Sequence, residues 1–404
     1  MKVSARLKDV PASPIRKLVP LAQEAKKQGV KVYHFNIGDP DIETPKEMIE
    51  VLHTWKQNPI GYAQSQGEAP LLDALKTYYH GLGFPFITTG DIQVTVGGSE
   101  AISWALFATC NPGDEAIVFE PFYANYNSYA TVHGVKLVPV TTSSANGFHI
   151  PGIAVIEKKI TGKTRAILFC NPNNPTGTVY SRQEIEIFVR LAQKYNLFLL
   201  SDEVYREYTY DGVPHVSILE FMEKLPDRVI MLDSLSKRYS ACGIRIGALV
   251  SKNRDIMEGV LRIGQGRLSA GLVDQAIASR LTNVPKSYLS AIHKEFEARR
   301  DVLYEGLKKI KGVTLPKPEG AFYTIVKLPV NDAELFCQWL LTTFRDPSAN
   351  SEDQAETLML APAAGFYATP DSGKNEVRIA YVLNTKALKR SIELLALALK
   401  QYSQ

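Results

Sequence analysis

One lysine in this chain stands where a lysine can do chemistry. In Ser234-Leu235-Ser236-Lys237-Arg238-Tyr239-Ser240-Ala241-Cys242-Gly243-Ile244-Arg245-Ile246-Gly247, Lys237 is flanked by hydroxyls and followed by Arg245. A lysine amine is a nucleophile only when deprotonated, and burial or a nearby cation makes that possible. Ser234, Ser236 and Arg245 are suited to hydrogen-bond and neutralise a phosphate. Taken alone, the segment reads equally as a solvated loop with a surface lysine. Asp202 ends the apolar run Leu197-Phe198-Leu199-Leu200-Ser201. A carboxylate there is rarely fully buried without a partner, although capping a helix is a common role for it. Arg378 stands among Val377, Ile379 and Ala380, where it needs an anion, and its planar fork matches a carboxylate. Gly97-Gly98-Ser99-Glu100 is a weaker signal. Glycines between a strand and a helix let a phosphate approach the N–H groups at the positive helix end. Asn171-Pro172-Asn173-Asn174-Pro175-Thr176-Gly177 describes a turn. At the carboxyl end of a parallel strand, a turn is also where α/β sheets bind ligands.

These residues need elements to hold them. Short apolar runs at 92–96, 116–119, 135–140, 166–169, 197–201, 229–232 and 246–250 read as buried strands. Amphipathic stretches such as 99–109 and 182–195 alternate with most of them. That alternation predicts crossover connections and a mostly parallel sheet with helices on both faces. Beyond about residue 285 the character changes. A charged helix over 287–310 leads to a strand at 322–326, a helix at 332–343, a loop-like stretch at 346–354, a strand at 377–382 and a final helix at 386–402. The fold class expected is α/β, with a smaller α+β domain formed by the N- and C-terminal segments. The expected division is an arm at 1–45, a large domain at 46–285, and a linking helix with the small domain at 286–404.

The stretch from Ser234 to Gly247 resembles, position by position, the cofactor-attachment signature of class I/II aminotransferases of fold type I. The other motifs follow in that family's order from Asn36 to the last helix. The resemblance implies a pyridoxal 5'-phosphate enzyme with Lys237 as Schiff-base lysine and general base. It implies that Asp202 holds the cofactor's ring nitrogen and that Tyr205 and Asn174 hold its ring oxygen. Tyr123 would stack on the ring, and Gly98, Ser99 and Glu100 would hold the phosphate chiefly through backbone amides, together with Ser234, Ser236 and Arg245. Asn174 and Arg378 would bind the substrate carboxylate, and Gly38 belongs to a segment that closes over the substrate. Tyr62 resembles a tyrosine lent to the partner subunit's phosphate site, which implies a homodimer with shared active sites.

The implied reaction moves an amino group between an L-amino acid and a 2-oxo acid by a ping-pong cycle through pyridoxamine phosphate. Overall resemblance points to aspartate or glutamate as one partner and 2-oxoglutarate as acceptor, with aromatic or broad specificity as an alternative. Relatives with the same motifs are cysteine-sulfur β-lyases or aminocyclopropane-carboxylate synthases, and fold alone does not separate them. Some bacterial relatives carry a lysine where this chain has Ser99; Arg16, Arg262 and Arg267 are candidates for a replacement cation. Composition excludes other classes. A formal charge of +4 with no basic run gives no nucleic-acid footprint. About 35 residues precede Asn36, too few for the DNA-binding module of an aminotransferase-like regulator. No signal peptide or membrane span is legible, so cytoplasm is the expected compartment. Cys110, Cys170, Cys242 and Cys337 lie far apart and read as buried small hydrophobes rather than metal ligands.

Overall fold

The computed structural model describes residues 3–346 and 355–402. Twelve strands follow in chain order: β1 (Lys31–His34), β2 (Ile92–Thr95), β3 (Glu115–Glu120), β4 (Lys136–Thr141), β5 (Thr164–Cys170), β6 (Phe198–Asp202), β7 (Val229–Ser234), β8 (Gly247–Ser251), β9 (Tyr323–Lys327), β10 (Glu356–Met359), β11 (Ala361–Pro362) and β12 (Glu376–Ala380). The large sheet has seven strands in the order β2-β8-β7-β6-β5-β3-β4. The pairs β3–β4, β3–β5, β5–β6 and β6–β7 are parallel, and β8 runs antiparallel to both β2 and β7.

The apolar runs form strands because both faces of this sheet are covered. Successive residues alternate between two cores. Ile117, Phe119, Ile167, Phe169, Leu199, Met231 and Val250 face one of them. Ala116, Val118, Ala166, Leu168, Leu200, Leu232 and Leu249 face the other. The first face packs on helices Ala69–Gly81 and Arg182–Tyr195, and the second on helices Gly97–Thr109 and Arg254–Arg267. Helix Arg182–Tyr195 shows why such elements start where they do. The Ser181 hydroxyl accepts from the Glu184 N–H, while the Glu184 carboxylate accepts from the Ser181 N–H. This reciprocal cap satisfies donors that a helix start leaves open.

A third core gathers both chain ends. Leu18, Ala22, Val32 and Phe35 pack with Phe296 and Leu303 of helix Lys286–Leu307, Phe336 and Leu340 of helix Ala333–Thr342, and Leu394 and Leu395 of helix Thr385–Tyr402. Here β1 pairs in parallel with β10, and β11-β12-β9 form an antiparallel sheet. The architecture is therefore the expected α/β sheet with a smaller α+β unit built from both ends. The sequence reading left β1, β10 and β11 without strand assignments. Of the loop expected over 346–354, Asp346 bridges to Glu356, and 347–354 lie outside the described residues. No helix among the described residues is long and apolar enough to cross a membrane.

Candidate active site

A cavity of ~530 Å³ opens at the carboxyl ends of β5, β6 and β7. It takes in Gly38, Gly98, Ser99, Tyr123, Asn174, Asp202, Tyr205, Ser234, Ser236, Lys237, Arg245 and Arg378, the residues given a role by the family resemblance apart from Glu100 and Tyr62. Strand ends are where parallel sheets leave loops free to carry function, since the strands themselves are committed to the ladder.

Lys237 lies in a short helical turn, Leu235–Arg238, directly after β7. Its Nζ donates to the Gly38 carbonyl at 2.7 Å and reaches Cys242 Sγ at 3.3 Å. The turn is held by Ser234, whose hydroxyl accepts from the Ser236 N–H at 3.2 Å and meets Ser236 Oγ at 2.9 Å. Arg245 Nη1 donates to Ser236 Oγ at 3.3 Å and to the Cys242 carbonyl at 2.9 Å. Its guanidinium lies over Gly97. That glycine has φ +73°, and a Cβ there would stand 2.5 Å from Arg245 Nη2. Only glycine accommodates both the left-handed backbone and the arginine. The result is a cation and two hydroxyls at the open N-terminus of helix Gly97–Thr109.

Asp202 ends β6 and is buried. Tyr126 Oη donates to its Oδ2 at 2.7 Å, and the Val204 N–H reaches Oδ1 at 3.4 Å. Burial pushes its carboxyl up to about 6, against the opposing pull of these two donors. Tyr205 Oη lies 3.3 Å from Asn174 Nδ2 and 3.1 Å from Tyr323 Oη. Asn174 Oδ1 accepts from Arg378 Nη1 at 3.1 Å, and the Asn36 carbonyl accepts from Nη2 at 2.6 Å. Arg378 is fully buried against the rings of Tyr323 and Phe366, its Nε has no partner, and burial lowers its pKa. Gly38 is required by packing, because a Cβ would overlap the Tyr323 hydroxyl.

Beneath Lys237 lies a buried ionic layer. Asp233 accepts from Tyr79 Oη at 2.9 Å, the Ser234 N–H at 2.8 Å and Arg238 Nη2 at 2.7 Å. Burial pushes the Asp233 carboxyl up, but Arg238 and Arg206 outweigh it and hold the group below its ordinary range. Arg238 Nε also donates to Glu207 at 2.6 Å.

Two expected site residues do not line the cavity. The Glu100 carboxylate accepts from the Val96 N–H at 2.7 Å and from Arg267 Nη1 at 2.7 Å, so its side chain closes its own helix start as a first-turn acid, and only its backbone N–H is left for the role the resemblance implies. Tyr62 is 85% exposed and lines no part of the cavity of its own chain. Of the three candidate cations, the cavity takes in Arg16 and leaves out Arg262 and Arg267. Several lining residues had been passed over: Asp39, Asn125, Cys242 and Tyr323, with Tyr126 just behind Asp202. Cys242 departs from the expectation for the cysteines, since it is only half-buried and faces Lys237, whereas the other three are buried. Tyr126 stood inside a segment already notable for its aromatics. Nothing local marks Tyr323.

The sequence model of the family described as aminotransferase class I and II matches residues 30–392. The chain belongs to that family. An aspartate aminotransferase of Thermotoga maritima is 33% identical over 341 residues, which cover 84% of this chain and 88% of that protein. The solved aspartate aminotransferase from Thermus thermophilus with maleate superposes with a TM-score of 0.87 at 26% identity, covering 98% of this chain and 100% of the other. An alanine aminotransferase from Pyrococcus furiosus superposes equally well, with a TM-score of 0.87 at 29% identity, covering 99% and 100%. This chain is thus an aminotransferase, a transferase of amino groups between small amino and oxo acids. Equal TM-scores against an aspartate and an alanine enzyme leave the side chain of its substrate to be read from the cavity.

Proposed function

We propose that this aminotransferase uses pyridoxal 5'-phosphate to move an amino group from an L-amino acid to a 2-oxo acid such as 2-oxoglutarate, with Lys237 as the attaching lysine and the proton carrier. The observation that carries this is the convergence of Lys237, Asp202 and Arg378 on one cavity. The donor set fits the cofactor. Arg245, Ser234, Ser236 and the N–H groups of Gly98 and Ser99 suit its phosphate. Asp202 is a buried carboxyl whose protonation is finely balanced, which suits a ring nitrogen able to carry a proton. When bound, pyridoxal phosphate supplies an aldehyde for amine exchange and an electron-poor ring that takes up the electron pair left at the substrate Cα.

The rest is work for the chain's own residues. Asp202 keeps the ring nitrogen protonated, and Tyr126 orients that carboxylate through its 2.7 Å hydrogen bond. Tyr205 and Asn174 meet the ring oxygen, and Tyr123 lies against the ring. Arg378 takes the substrate α-carboxylate; its free Nε and its two neutral partners, Asn174 Oδ1 and the Asn36 carbonyl, leave its charge to be matched by an incoming anion. Lys237, once displaced, would be tethered close enough to take the Cα proton and return it to the cofactor's aldehyde carbon, on the far side of the amino nitrogen. Oriented proton transfer of this kind is worth roughly 10²–10⁴-fold in rate. Tyr62, outside its own cavity, serves the neighbouring site in a homodimer.

The test is the visible spectrum of purified protein, with and without a panel of amino acids, for the wild type and Lys237→Ala. A Schiff-base band that converts to the pyridoxamine form in the wild type, and is missing in Lys237→Ala, is the expected result. A wild type that binds the cofactor yet yields no pyridoxamine form with any amino acid, while releasing ammonia without an acceptor, would overturn the reading in favour of elimination.

A further inference from the structure

Four cationic side chains line the cavity: Arg16, Lys237, Arg245 and Arg378. On the reading above, the attachment point, the phosphate and the α-carboxylate occupy three of them. Arg16 is left over. Among the described residues its guanidinium meets no acceptor, and only its backbone N–H is engaged, with the Ser13 carbonyl at 3.2 Å. The other cations weighed for the substrate side chain do not reach the cavity. Arg267 is bound to Glu100 at 2.7 Å and lies over the Trp104 ring.

The segment that carries Arg16 is fixed although its guanidinium is free. The Ile15 carbonyl accepts from Asn36 Nδ2 at 2.9 Å, and the Asn36 carbonyl in turn accepts from Arg378 Nη2 at 2.6 Å. Pro14 packs on Gly365, where a Cβ would stand 2.8 Å from the proline ring. Ile15 packs against the cluster that contains Phe366, the ring beneath Arg378. Lys17 is ion-paired with Glu334. The two arginines are thus hooked together through a single residue, Asn36. An arginine held on a rigid support with its fork unmatched is preorganised for an anion, because ligand binding need not order its backbone.

We propose that Arg16 binds the distal carboxylate of a dicarboxylic amino acid, and of the matching oxo acid, while Arg378 binds the α-carboxylate. This rests on the aminotransferase reading and supplies its substrate class. Asp39 also lines the cavity, but it faces the Cys242 thiol on the Lys237 side. A substrate with a distal ammonium is the competing choice that Asp39 would favour.

The experiment compares kcat/KM of the holoenzyme for aspartate, glutamate, alanine and lysine in the wild type, Arg16→Met and Arg16→Lys. Calorimetry of succinate against butyrate, neither of which carries an amine, provides a second readout. The expected result is a fall of about 10- to 100-fold in the acidic-to-alanine ratio for Arg16→Met, the range that charge-assisted hydrogen bonds convert to. Arg16→Lys should retain part of it, and the preference for succinate over butyrate should fall in parallel. A ratio and a succinate preference that Arg16→Met leaves unchanged overturn the inference. So does a wild type that prefers alanine or lysine, and in that case the aminotransferase reading survives. A holoenzyme that transaminates none of the four sinks that reading instead, and the succinate preference then decides Arg16 alone.

Discussion

Two buried arginines on opposite sides of the cavity have opposite surroundings. Arg238, on the large-sheet side, is fully buried and meets two carboxylates, Asp233 at 2.7 Å and Glu207 at 2.6 Å. Arg378, on the small-sheet side, is as deeply buried, yet its partners are an amide oxygen and a carbonyl, neither of them charged; each arginine leaves one nitrogen without a partner. Burying a charge costs several kcal/mol unless it is paired. The first arginine has settled that cost inside the fold. The second leaves it to be offset by a ligand. The large-sheet side is thus built as a permanent seat, and the small-sheet side as a place for an anion that comes and goes.

The largest expected effects break this comparison directly. Arg238→Leu leaves the buried Asp233 with only the more distant Arg206 and the half-buried Glu207 without its cation, which should cost roughly 3 kcal/mol in urea unfolding of the apoprotein. Arg378→Leu removes a buried charge that has no counter-charge, so it should leave unfolding within about 1 kcal/mol of wild type or raise stability. Its damage should appear in function, as a rise of roughly 30-fold or more in KM for the amino acid. Equal destabilisation by the two variants would erase the distinction between seat and anion site.

A second, smaller effect sharpens it through pH. The folded Asp202 carboxyl titrates at about 6, raised by burial from an ordinary value of 3.8. The folded apoprotein therefore holds this proton more tightly than the unfolded chain. The sign is that of a raised group: its contribution is fully present below about pH 4 and is lost as pH rises through about 6. The loss amounts to about 3 kcal/mol. Asp202→Asn cannot ionise, so the stability difference between it and the wild-type apoprotein should swing in favour of the variant across this window. Pyridoxal phosphate should narrow that swing in the wild type, since a protonated ring nitrogen supplies the missing counter-charge. Urea midpoints at pH 4, 5, 6 and 7 check both statements, and parallel curves for the two proteins would contradict them.

How much of this was legible in the sequence follows the same division. The seat was readable because it is local. Strands buried on both faces appear as continuous apolar runs, and each motif stands in the few residues after one of them, as Lys237 follows β7 and Asp202 ends β6. The antiparallel direction of β8 was not called out; the link from Ser234 to Gly247 holds only the short turns Leu235–Arg238 and Cys242–Ile244 and no covering helix. The small-sheet side was read less well because it is assembled from distant pieces. Residues of β1 and β10 pair as Lys31 with Glu356. β1, Lys31-Val32-Tyr33-His34, has no apolar run to announce it, whereas the run Leu358-Met359-Leu360-Ala361 at the end of β10 was too short to be told from a loop. Tyr126 meets Asp202, and Tyr323 meets Tyr205, only through the tertiary fold. Arg16 could be named only as one of three candidate cations, because its segment is fixed through Asn36 and Gly365, not by its own neighbours.

The smallest effect concerns Cys242, the one cysteine at the meeting point of the two sides. Its Sγ accepts from Lys237 Nζ at 3.3 Å and donates to the Ser236 carbonyl at 3.3 Å. Burial raises its thiol pKa, and the Lys237 charge pulls it back part of the way. The thiol is therefore neutral at pH 7 and a weak partner. Cys242→Ala removes one of two acceptors for Nζ and leaves the stronger one, the Gly38 carbonyl at 2.7 Å. Turnover should fall only a few-fold, with stability within about 1 kcal/mol of wild type. Accessibility gives a sharper readout than rate. Cys110, Cys170 and Cys337 are buried, so Cys242 should be the thiol that iodoacetamide labels first in the folded chain, at mildly alkaline pH where thiolate forms. Peptide mass spectrometry should find that label suppressed once pyridoxal phosphate occupies the cavity beside it. Equal labelling with and without the cofactor would mean that the ligand does not fill the space between Lys237 and Gly38, and the seat would have to be redrawn.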